Sequence, residues 1–491
     1  MIKTIRPKLE FLSKEFIQKI IDEAYDILEK EGVFVENKEA LRLLKEAGMK
    51  ADEATQRVHI TRALVEDSLS STPSIIKLYD RTGDKEFIVG EDHVHFDPGS
   101  AAITILDHET SEERKPVSED LVKFYRLTEC LEHIHFQCTG IVSLDVPDLI
   151  SDSYRLFLGL QFSTKPVVTG TFRVEGFKPM HDMLVAIRGS EDELAEKPLA
   201  IFDACPSPPL KWSNLTAQSL IDCARADIPS ELVSMGLTGA TSPVTIAGTL
   251  VQHTVENLSG LVICQLAKKG APVIFGGSPS SFDMRKGTTP MGAIETMMID
   301  SAYAQIGKHL NLPTHAYMAL SDSKINDAQA GFETGIGAVV AALSGINVVS
   351  GPGMMNFESC QSLEKLVVDH EICRMAYRMI EGISQRDEPI AKNLFEGFTS
   401  ESQFLTMPHT RKWYREEHTF PRIIDRDTYD YWVSLGKKSI TDRASEEVER
   451  LLMENPPALP GEDIVEELQK IMLSDAKNYG ITSLPNIGVG S

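Results

Sequence analysis

Eight short apolar runs, each followed by a segment with the periodicity of an amphipathic helix, constrain the fold of this chain most. The clearest unit is 316–353, where an apolar run, a polar turn, a helical pattern and a second apolar run end at Gly351-Pro352-Gly353. Such a β-α-β unit normally holds its two strands parallel, because the helix returns the chain to the same edge of the sheet. The carboxyl ends of the strands then open on one face, where α/β folds bind their ligands.

The same alternation repeats from residue 93 onwards. The predicted strands are residues 94–97, 134–140, 167–172, 199–204, 231–236, 272–277, 314–320 and 347–351. The predicted helices are residues 118–131, 147–162, 178–188, 214–226, 245–269, 291–310, 325–343 and 362–383. This is the number of units that a closed (β/α)₈ TIM barrel requires, although a doubly wound open sheet remains an alternative. Neither G-x-G-x-x-G nor a P-loop pattern is present, so nucleotide binding on an open sheet has no support.

Three segments divide the chain of 491 residues. Helical patterns predict a helical N-terminal cap over residues 1–92, and the barrel then takes residues 93–385. Residues 386–491 form a C-terminal extension that wraps over the barrel, with helices at 440–454 and 462–472.

Composition excludes several functional classes. The net charge of −23 argues against binding to nucleic acid, which requires a basic face. Seven scattered cysteines without a C-x-x-C pair indicate reduced thiols. The N-terminus lacks the apolar core of a signal peptide, and no apolar run approaches the ~20 residues of a membrane span. We therefore expect a cytoplasmic protein that binds neither nucleic acid nor membranes.

Two H-x-H pairs, His93/His95 and His133/His135, are candidate metal ligands. Residues i and i+2 of a strand face the same way, so one pair can ligate one ion inside a barrel. This pattern predicts, as an alternative function, a metal-dependent barrel hydrolase. The ends of later strands add only Asp203 and Asp322 as further ligands, which favours histidines that are hydrogen-bonded or solvated.

Aromatic and glycine residues recur at the predicted strand ends. Converging rings can hold a quaternary ammonium group, whose diffuse charge is attracted to π-faces, although core packing explains any single ring equally well. The glycines allow a ligand to approach the backbone closely, and turn chemistry is their alternative explanation. The rings are Phe172, Phe202, Trp212, Tyr317 and Phe357, and the glycines include Gly276, Gly277 and Gly351.

Four segments carry a resemblance to a known family. They are PVIFGGSPSSFDMRKGTTPMGAIE (272–295), SDSKINDAQAGFETGIGAVVAALSGIN (321–347), SLEKLVVDHEICRM (362–375) and PHTRKWYREEHTFPRIIDRDTYDYW (408–432). The chain resembles the trimethylamine methyltransferase family, in its branch that lacks pyrrolysine. The similarity runs in the same order over nearly the whole chain.

The resemblance implies a (β/α)₈ barrel that moves a methyl group from a methylated amine to Co(I) of a separate corrinoid protein. Members of this branch act on quaternary amines such as glycine betaine, proline betaine and carnitine. The trimethylamine enzymes carry pyrrolysine, and this chain has none. The implied corrinoid (cobalamin) belongs to the partner, so we expect no side-chain nucleophile and no tightly bound metal. We also expect a homo-oligomer, because large interfaces are common for such barrels.

Under this hypothesis, strand-end placement suggests roles for individual residues. The five rings listed above form a cage for the quaternary nitrogen. The carboxylate of a betaine binds to Arg173, to Lys324, or to the backbone amides around Gly276-Gly277 or Gly351, and Asp322 and Glu333 orient these groups. The corrinoid approaches a rim of glycines, namely Gly276, Gly277, Gly351 and Gly353.

Overall fold

In the computed structural model, which describes residues 4–485 and 487, eight parallel strands alternate with eight helices around one central sheet. Strands β1–β8 are His95–Asp97, Gln137–Cys138, Val167–Thr169, Ala200–Ala204, Ser230–Ser234, Val273–Gly277, Thr314–Tyr317 and Val348–Ser350. Helices α1–α8, each following the strand of the same number, are Ser118–Cys130, Ser151–Phe162, Phe177–Arg188, Asn214–Arg225, Ile246–Ala267, Ile294–His309, Ala328–Ser344 and Leu363–Ile380. Each predicted strand and helix is present, with bounds that differ by a few residues.

The sheet closes almost completely into a barrel. Its strands follow the order β1-β8-β7-β6-β5-β4-β3-β2, and every neighbouring pair is parallel. Between β1 and β2 there is no ladder, and the N–H of His135 instead donates to the carbonyl oxygen of Phe96 at 2.9 Å. We call this contact the seam. The prediction of a (β/α)₈ TIM barrel is confirmed, and the open-sheet alternative is wrong.

Helix α7 begins later than the sequence suggests. Its first free amides are capped by Asp327, whose side chain accepts from the N–H of Ala330 at 3.1 Å. The carboxylate of Asp322, which precedes the predicted start of this helix, accepts from the N–H groups of Met291 and Gly292 at 2.9 and 3.0 Å. The loop after β7 is therefore tied to the loop after β6, and both loops lie at the carboxyl ends of the strands.

Residues 4–94, which precede β1, form a mixed α/β segment. Their helices are Lys14–Lys30, Lys38–Glu46 and Arg62–Ser71, and their strands are Val33–Val35, Lys50–Asp52, Arg57–His59, Ile75–Tyr79 and Glu86–Gly90. Strand Val33–Val35 pairs in parallel with Lys211–Trp212, which follows β4, so this segment shares a small sheet with the barrel. The helices predicted for the cap are present, whereas the three strands between residues 33 and 59 were not predicted, because each is too short to show a periodicity. The domain bounds themselves stay a prediction.

In the described range after α8, the last two helices pack on the outer helix layer. The helices of this range are Pro408–Glu417, Tyr429–Ser434, Ile440–Glu454 and Glu462–Lys477, with a 3-10 turn at Lys392–Phe395. Ile440–Glu454 contacts α8 and α1, while Glu462–Lys477 contacts α3 and α2. Within the described ranges, no helix has both the length and the apolar composition that crossing a bilayer requires. All seven cysteines are free thiols.

Candidate active site

A cluster of four acidic side chains lies inside the barrel, towards the carboxyl ends of β1 and β4. Asp97 is on β1, Asp203 is on β4 and Glu231 is on β5, while Glu358 reaches them from the loop after β8. Asp203 and Glu231 are direct neighbours on adjacent strands. Asp97 and Glu231 are fully buried, whereas Asp203 and Glu358 are partly accessible. We call these four residues the carboxyl cluster.

A chain of close polar contacts connects two members of the cluster across the barrel, and the links from His315 through Ser350 to Asp97 are hydrogen bonds. Nε2 of His315 lies 3.2 Å from Oε1 of Glu231, although β6 separates their strands. The same nitrogen lies 3.1 Å from Oγ of Ser350, which donates to Oδ2 of Asp97 at 2.6 Å. Gly276 on β6 makes room for this arrangement, because a Cβ there would lie 2.9 Å from Cβ of His315. Burial lowers the pKa of His315 to about 3, so the imidazole is neutral.

Burial makes this cluster hold protons at neutral pH. It raises the pKa of Asp97 to about 7 and that of Asp203 to about 6. Burial and the charge of Asp203 raise the pKa of Glu231 well above its usual value. Burial and the neighbouring carboxylates raise the pKa of Glu358 to about 8. In the described part of the chain, the one ion-pair partner of these four groups is the neutral His315. Protons or a bound cation must therefore compensate the cluster.

A strained hairpin brings Glu358 to the cluster. Its strands are Met354–Met355 and Cys360–Gln361, which pair antiparallel. Between them Asn356, Phe357 and Glu358 all have left-handed backbone conformations, with φ of 48°, 56° and 65°. Each such residue costs ~1–2 kcal/mol when it is not glycine. Strain of this kind concentrates at functional sites, and here it sets the directions of the Phe357 and Glu358 side chains.

Two hydrogen bonds of Asn356 hold the hairpin in place. Its N–H donates to the carbonyl oxygen of Ser323 at 3.0 Å, and its Nδ2 donates to Oε1 of Glu113 at 2.7 Å. The strand Cys360–Gln361 also pairs in parallel with Thr104–Leu106 from the loop after β1. The hairpin is therefore anchored to the loops of both neighbouring β-α units.

A cavity of about 680 Å³ opens beside the hairpin and is lined by four of the predicted site residues, Asp322, Lys324, Glu333 and Phe357. This volume is typical of small-molecule sites. Nζ of Lys324 lies 3.9 Å from the centroid of the Phe357 ring and donates to the carbonyl oxygen of Asp322 at 2.6 Å. Oε2 of Glu333 accepts from Oγ of Ser321 at 2.6 Å and from the N–H of Asp322 at 2.9 Å. Burial raises the pKa of Asp322 to about 6.

Two further predicted rings lie near the carboxyl ends of the strands. Tyr317 at the end of β7 is nearly buried. Its hydrogen bond to Asp203 lowers the pKa of that carboxyl, whereas burial, which is the larger effect, raises it. Phe172 after β3 is 48% exposed, and the guanidinium of Arg155 lies 4.3 Å from its centroid. One face of Phe172 is thus already occupied by a cation. Gly170, next to Asp203, is partly accessible, so the cluster opens towards this side.

The structure places two predicted rings away from the cluster. Successive side chains of a strand point to opposite faces, so Phe202 points outward where Asp203 points inward. Phe202 is fully buried, with its ring centroid 5.6 Å from that of Phe177 on α3. Trp212 is also fully buried, and its Nε1 donates to Oγ of Ser259 on α5 at 2.9 Å. Both rings belong to the core between the barrel and its helices.

Arg173 forms its hydrogen bonds and ion pairs with residues outside the cavity and the carboxyl cluster. Its Nη2 donates to Oδ2 of Asp475 at 2.5 Å, and its Nη1 donates to the hydroxyl of Tyr479 at 2.6 Å. Its Nε lies 3.4 Å from Oδ1 of Asp152. This guanidinium therefore joins the C-terminal extension to α2 and is not available to a substrate carboxylate.

The four glycines predicted to face the corrinoid contact protein atoms instead. A Cβ on Gly277 would lie 2.6 Å from Nε2 of His253, and one on Gly351 would lie 2.1 Å from the carbonyl oxygen of Met318. A Cβ on Gly353 would lie 2.1 Å from Oε1 of Gln361, and Gly276 faces His315 as described above. All four glycines are buried. Close packing requires them, and they do not fit a rim for close approach of a cofactor.

The histidines of the H-x-H pairs lie at the opposite end of the barrel. His95 opens β1 and His135 precedes β2, with their Nδ1 atoms 2.9 Å apart. His133 contacts His370 on α8, with Nδ1 and Nε2 2.9 Å apart. Ligands for a catalytic metal are expected at the carboxyl ends of barrel strands. The hydrolase alternative therefore has no support from these residues.

Three members of the carboxyl cluster were not among the site residues predicted from the sequence, namely Asp97, Glu231 and Glu358. The sequence around Asp97 and Glu231 contains a signal that could have identified them: each is an acidic residue inside an apolar strand, and such residues are rarely buried without a function or a partner. Glu358 had none, since its direction depends on three left-handed residues that no propensity predicts.

Comparisons with known proteins agree with this architecture. A family model described as trimethylamine methyltransferase (MTTB) matches residues 1–478. A trimethylamine methyltransferase MttB of Desulfitobacterium hafniense is 32% identical over 96% of this chain and 94% of its own. A glycine betaine methyltransferase from the same species is 30% identical over 96% of this chain and 98% of its own. The crystal structure of the Methanosarcina barkeri monomethylamine methyltransferase MtmB matches with a TM-score of 0.52 and 12% identity, covering 92% of this chain and 90% of that one.

Proposed function

Because the chain belongs to the trimethylamine methyltransferase family, we propose that it moves a methyl group from a quaternary amine to Co(I) of a separate corrinoid protein. The proposed substrate is glycine betaine or a related betaine. A relative named glycine betaine methyltransferase, with which this chain aligns over nearly its full length, supports this substrate class.

The observation that carries the proposal is the carboxyl cluster, with which no Lys or Arg of the described residues forms an ion pair, while the charge of Arg155 acts on Asp203 only from a longer distance. The cluster lies where a (β/α)₈ barrel binds its substrate and consists of Asp97, Asp203, Glu231 and Glu358. A permanent cation compensates the charge of these carboxylates without donating a hydrogen bond. A tetraalkylammonium group is also weakly hydrated, so its transfer from water costs less than that of a compact ion. The nearby ring of Tyr317 adds a π-face.

The 680 Å³ cavity provides a place for the other end of a betaine. Lys324 at its wall supplies a cation for the substrate carboxylate, while the ammonium end lies against the carboxyl cluster. Phe357 faces the cavity and Glu358 faces the cluster, so the strained hairpin contacts both ends of the substrate. In this arrangement Asp322 and Glu333 position the loop that carries Lys324.

A quaternary substrate simplifies the chemistry that the chain must perform. The methyl group is already electrophilic, and the amine that leaves is neutral, so no acid has to activate it. The partner's reduced cobalt supplies the nucleophile. The residues of this chain hold one N–CH₃ bond in the direction of attack and exclude water, and such orientation is worth ~7–11 kcal/mol in favourable cases.

A methyl-transfer assay with free cob(I)alamin as the acceptor tests the proposal. Glycine betaine, proline betaine, carnitine, choline and trimethylamine are supplied one at a time, and the visible spectrum reports the methylated cobalt product. We expect turnover with at least one betaine and none with trimethylamine. Turnover with trimethylamine alone would contradict the substrate class, and no turnover with any donor, also in the presence of a corrinoid protein, would contradict the proposed reaction.

Binding of the cation should strengthen as the pH rises. Asp97 and Glu358 have pKa values near 7 and 8, so a quaternary ammonium must displace their protons to be compensated. Burial keeps Tyr317 and Cys205 neutral by raising the pKa of each, and Arg155 adds a fixed positive charge. The association constant should rise about tenfold per pH unit for each proton displaced.

Calorimetric titration with tetramethylammonium between about pH 6 and about pH 8 measures this effect. Buffers of different ionisation enthalpy report the number of protons released. The same titration of the Glu358→Gln variant should show a smaller slope, because one titrating group is absent. An affinity that does not change with pH would mean that the cation does not bind at the carboxyl cluster.

A further inference from the structure

We propose that Glu132, His133 and His370 form a reversible binding site for a divalent transition-metal ion such as Zn²⁺, at the end of the barrel opposite the carboxyl cluster. Nδ1 of His133 lies 2.9 Å from Nε2 of His370 and 3.7 Å from Oε1 of Glu132. One ligand atom from each residue lies within 4.8 Å of the others. Two imidazoles and a carboxylate are a common ligand set for zinc, with water in the fourth position.

The present distances need only a small adjustment to admit an ion. Tetrahedral bonds of about 2.0–2.1 Å require the two ring nitrogens to lie roughly 3.3 Å apart. Rotation of the His133 side chain, which is 21% exposed, supplies this change without moving the backbone. The side chain of Glu132 is 79% exposed, so it is free to turn towards the ion.

The two ring nitrogens that would bind the ion now share one hydrogen bond, so one of them carries the proton of that bond. Binding of an ion requires that ring to carry its proton on its other nitrogen instead, which leaves both imidazoles neutral and both ligand lone pairs free. Lys165 and Arg374 contribute positive charge at this place. Their repulsion of a dication is the reason that we infer reversible and not permanent binding.

The position of the site suggests its role. His133 lies in the turn between α1 and β2, and His370 lies on α8. Helix α8 reaches the seam through Tyr377, whose ring contacts Phe96 and whose hydroxyl lies 3.2 Å from Nδ1 of His135. Also from α8, the hydroxyl of Tyr377 donates to the carbonyl oxygen of Val94 beside β1 at 3.0 Å. Coordination would add a link between α8 and the β2 side of the seam, where the barrel has no backbone ladder. The ion would therefore stabilise barrel closure without taking part in catalysis.

Titration of the chelator-treated full-length chain with ZnCl₂ tests this inference. Calorimetry should report one ion per chain, and the midpoint temperature of unfolding should rise with zinc concentration. His133→Asn and His370→Asn should each weaken binding at least tenfold and remove the thermal shift. The control is His309→Asn, an exposed histidine on α6, which should behave like the wild type. Methyl transfer should be the same with and without zinc, so this test is independent of the proposed function.

A second measurement covers the case in which a histidine variant does not fold. Co²⁺ bound by nitrogen ligands in a tetrahedral site has strong visible absorption, which should appear in the wild type on stoichiometric addition. Glu132→Ala, a change at an exposed side chain, should reduce the affinity for Co²⁺ without affecting folding. The inference is overturned if the wild type shows no saturable binding, or if zinc binds equally well to the His370→Asn variant.

Discussion

Replacing Asp203 with asparagine is expected to lower kcat/KM for methyl transfer between about tenfold and a hundredfold. Asp203 has a pKa of about 6, so it is the member of the carboxyl cluster that is mostly ionised at neutral pH. The loss of a charged interaction in a desolvated site costs ~1.5–3 kcal/mol, and each ~1.4 kcal/mol is a factor of ten. Steady-state kinetics with the best donor of the panel measures the change, and the affinity for tetramethylammonium should fall in parallel.

The matched control for this variant is Asp227→Asn. Asp227 follows α4 at the other end of the barrel and forms an exposed ion pair with Lys268 at 2.5 Å. The chemical change is the same, but the carboxylate is far from the proposed substrate, so kcat/KM should stay at the wild-type value. Wild-type kinetics for Asp203→Asn, in a variant with an unchanged circular dichroism spectrum, would show that the cluster does not hold the substrate cation.

Replacing Lys365 with methionine is expected to lower the free energy of unfolding by ~3–5 kcal/mol. Lys365 and Asp369 form a short ion pair one turn apart on α8, and each side chain is only 1% exposed. Nζ of Lys365 also donates to Oγ1 of Thr334 on α7 at 2.7 Å, and Oδ2 of Asp369 accepts from the N–H of Gly353 at 2.7 Å. Removing the cation leaves an uncompensated buried carboxylate. Urea denaturation measures this loss of unfolding free energy, which is read from the first unfolding transition.

Two further variants separate the charge effect from lost packing. The double variant Lys365→Met/Asp369→Leu removes both charges and should recover at least half of the loss, because apolar pairs often replace buried ion pairs at little cost. Lys268→Met breaks the exposed pair with Asp227 and should change stability by less than ~1 kcal/mol. A single variant Lys365→Met as stable as the wild type would mean that Asp369 is compensated by its other partners.

The barrel was predictable because its evidence is local. A strand such as Ala200–Ala204 is a short apolar run, and a helix such as Phe177–Arg188 has a helical periodicity, and both are visible within one window of sequence. The number of repeats then suggested closure. Glycine at a strand end was less informative, since Gly276 and Gly351 are required by contacts with residues of other strands. The sequence indicated that these glycines lie at strand ends, but not which residues they contact.

The site depended on contacts between distant segments. His315 meets Glu231 only because the strand between them carries Gly276, and His133 meets His370 across 237 residues of sequence. The direction of Glu358 follows from a left-handed hairpin that is anchored by other loops.

Sequence alone therefore settled the β-α repeat, the family resemblance and the approximate place of the loops around Asp322 and Lys324. Only the tertiary structure decided which side chains point into the barrel, which rings are core and where the acidic groups converge. The physical reason is that helix and strand periods are set by neighbouring residues. A cluster of buried charges, in contrast, exists only once barrel closure has brought β1, β4, β5 and the loop after β8 together.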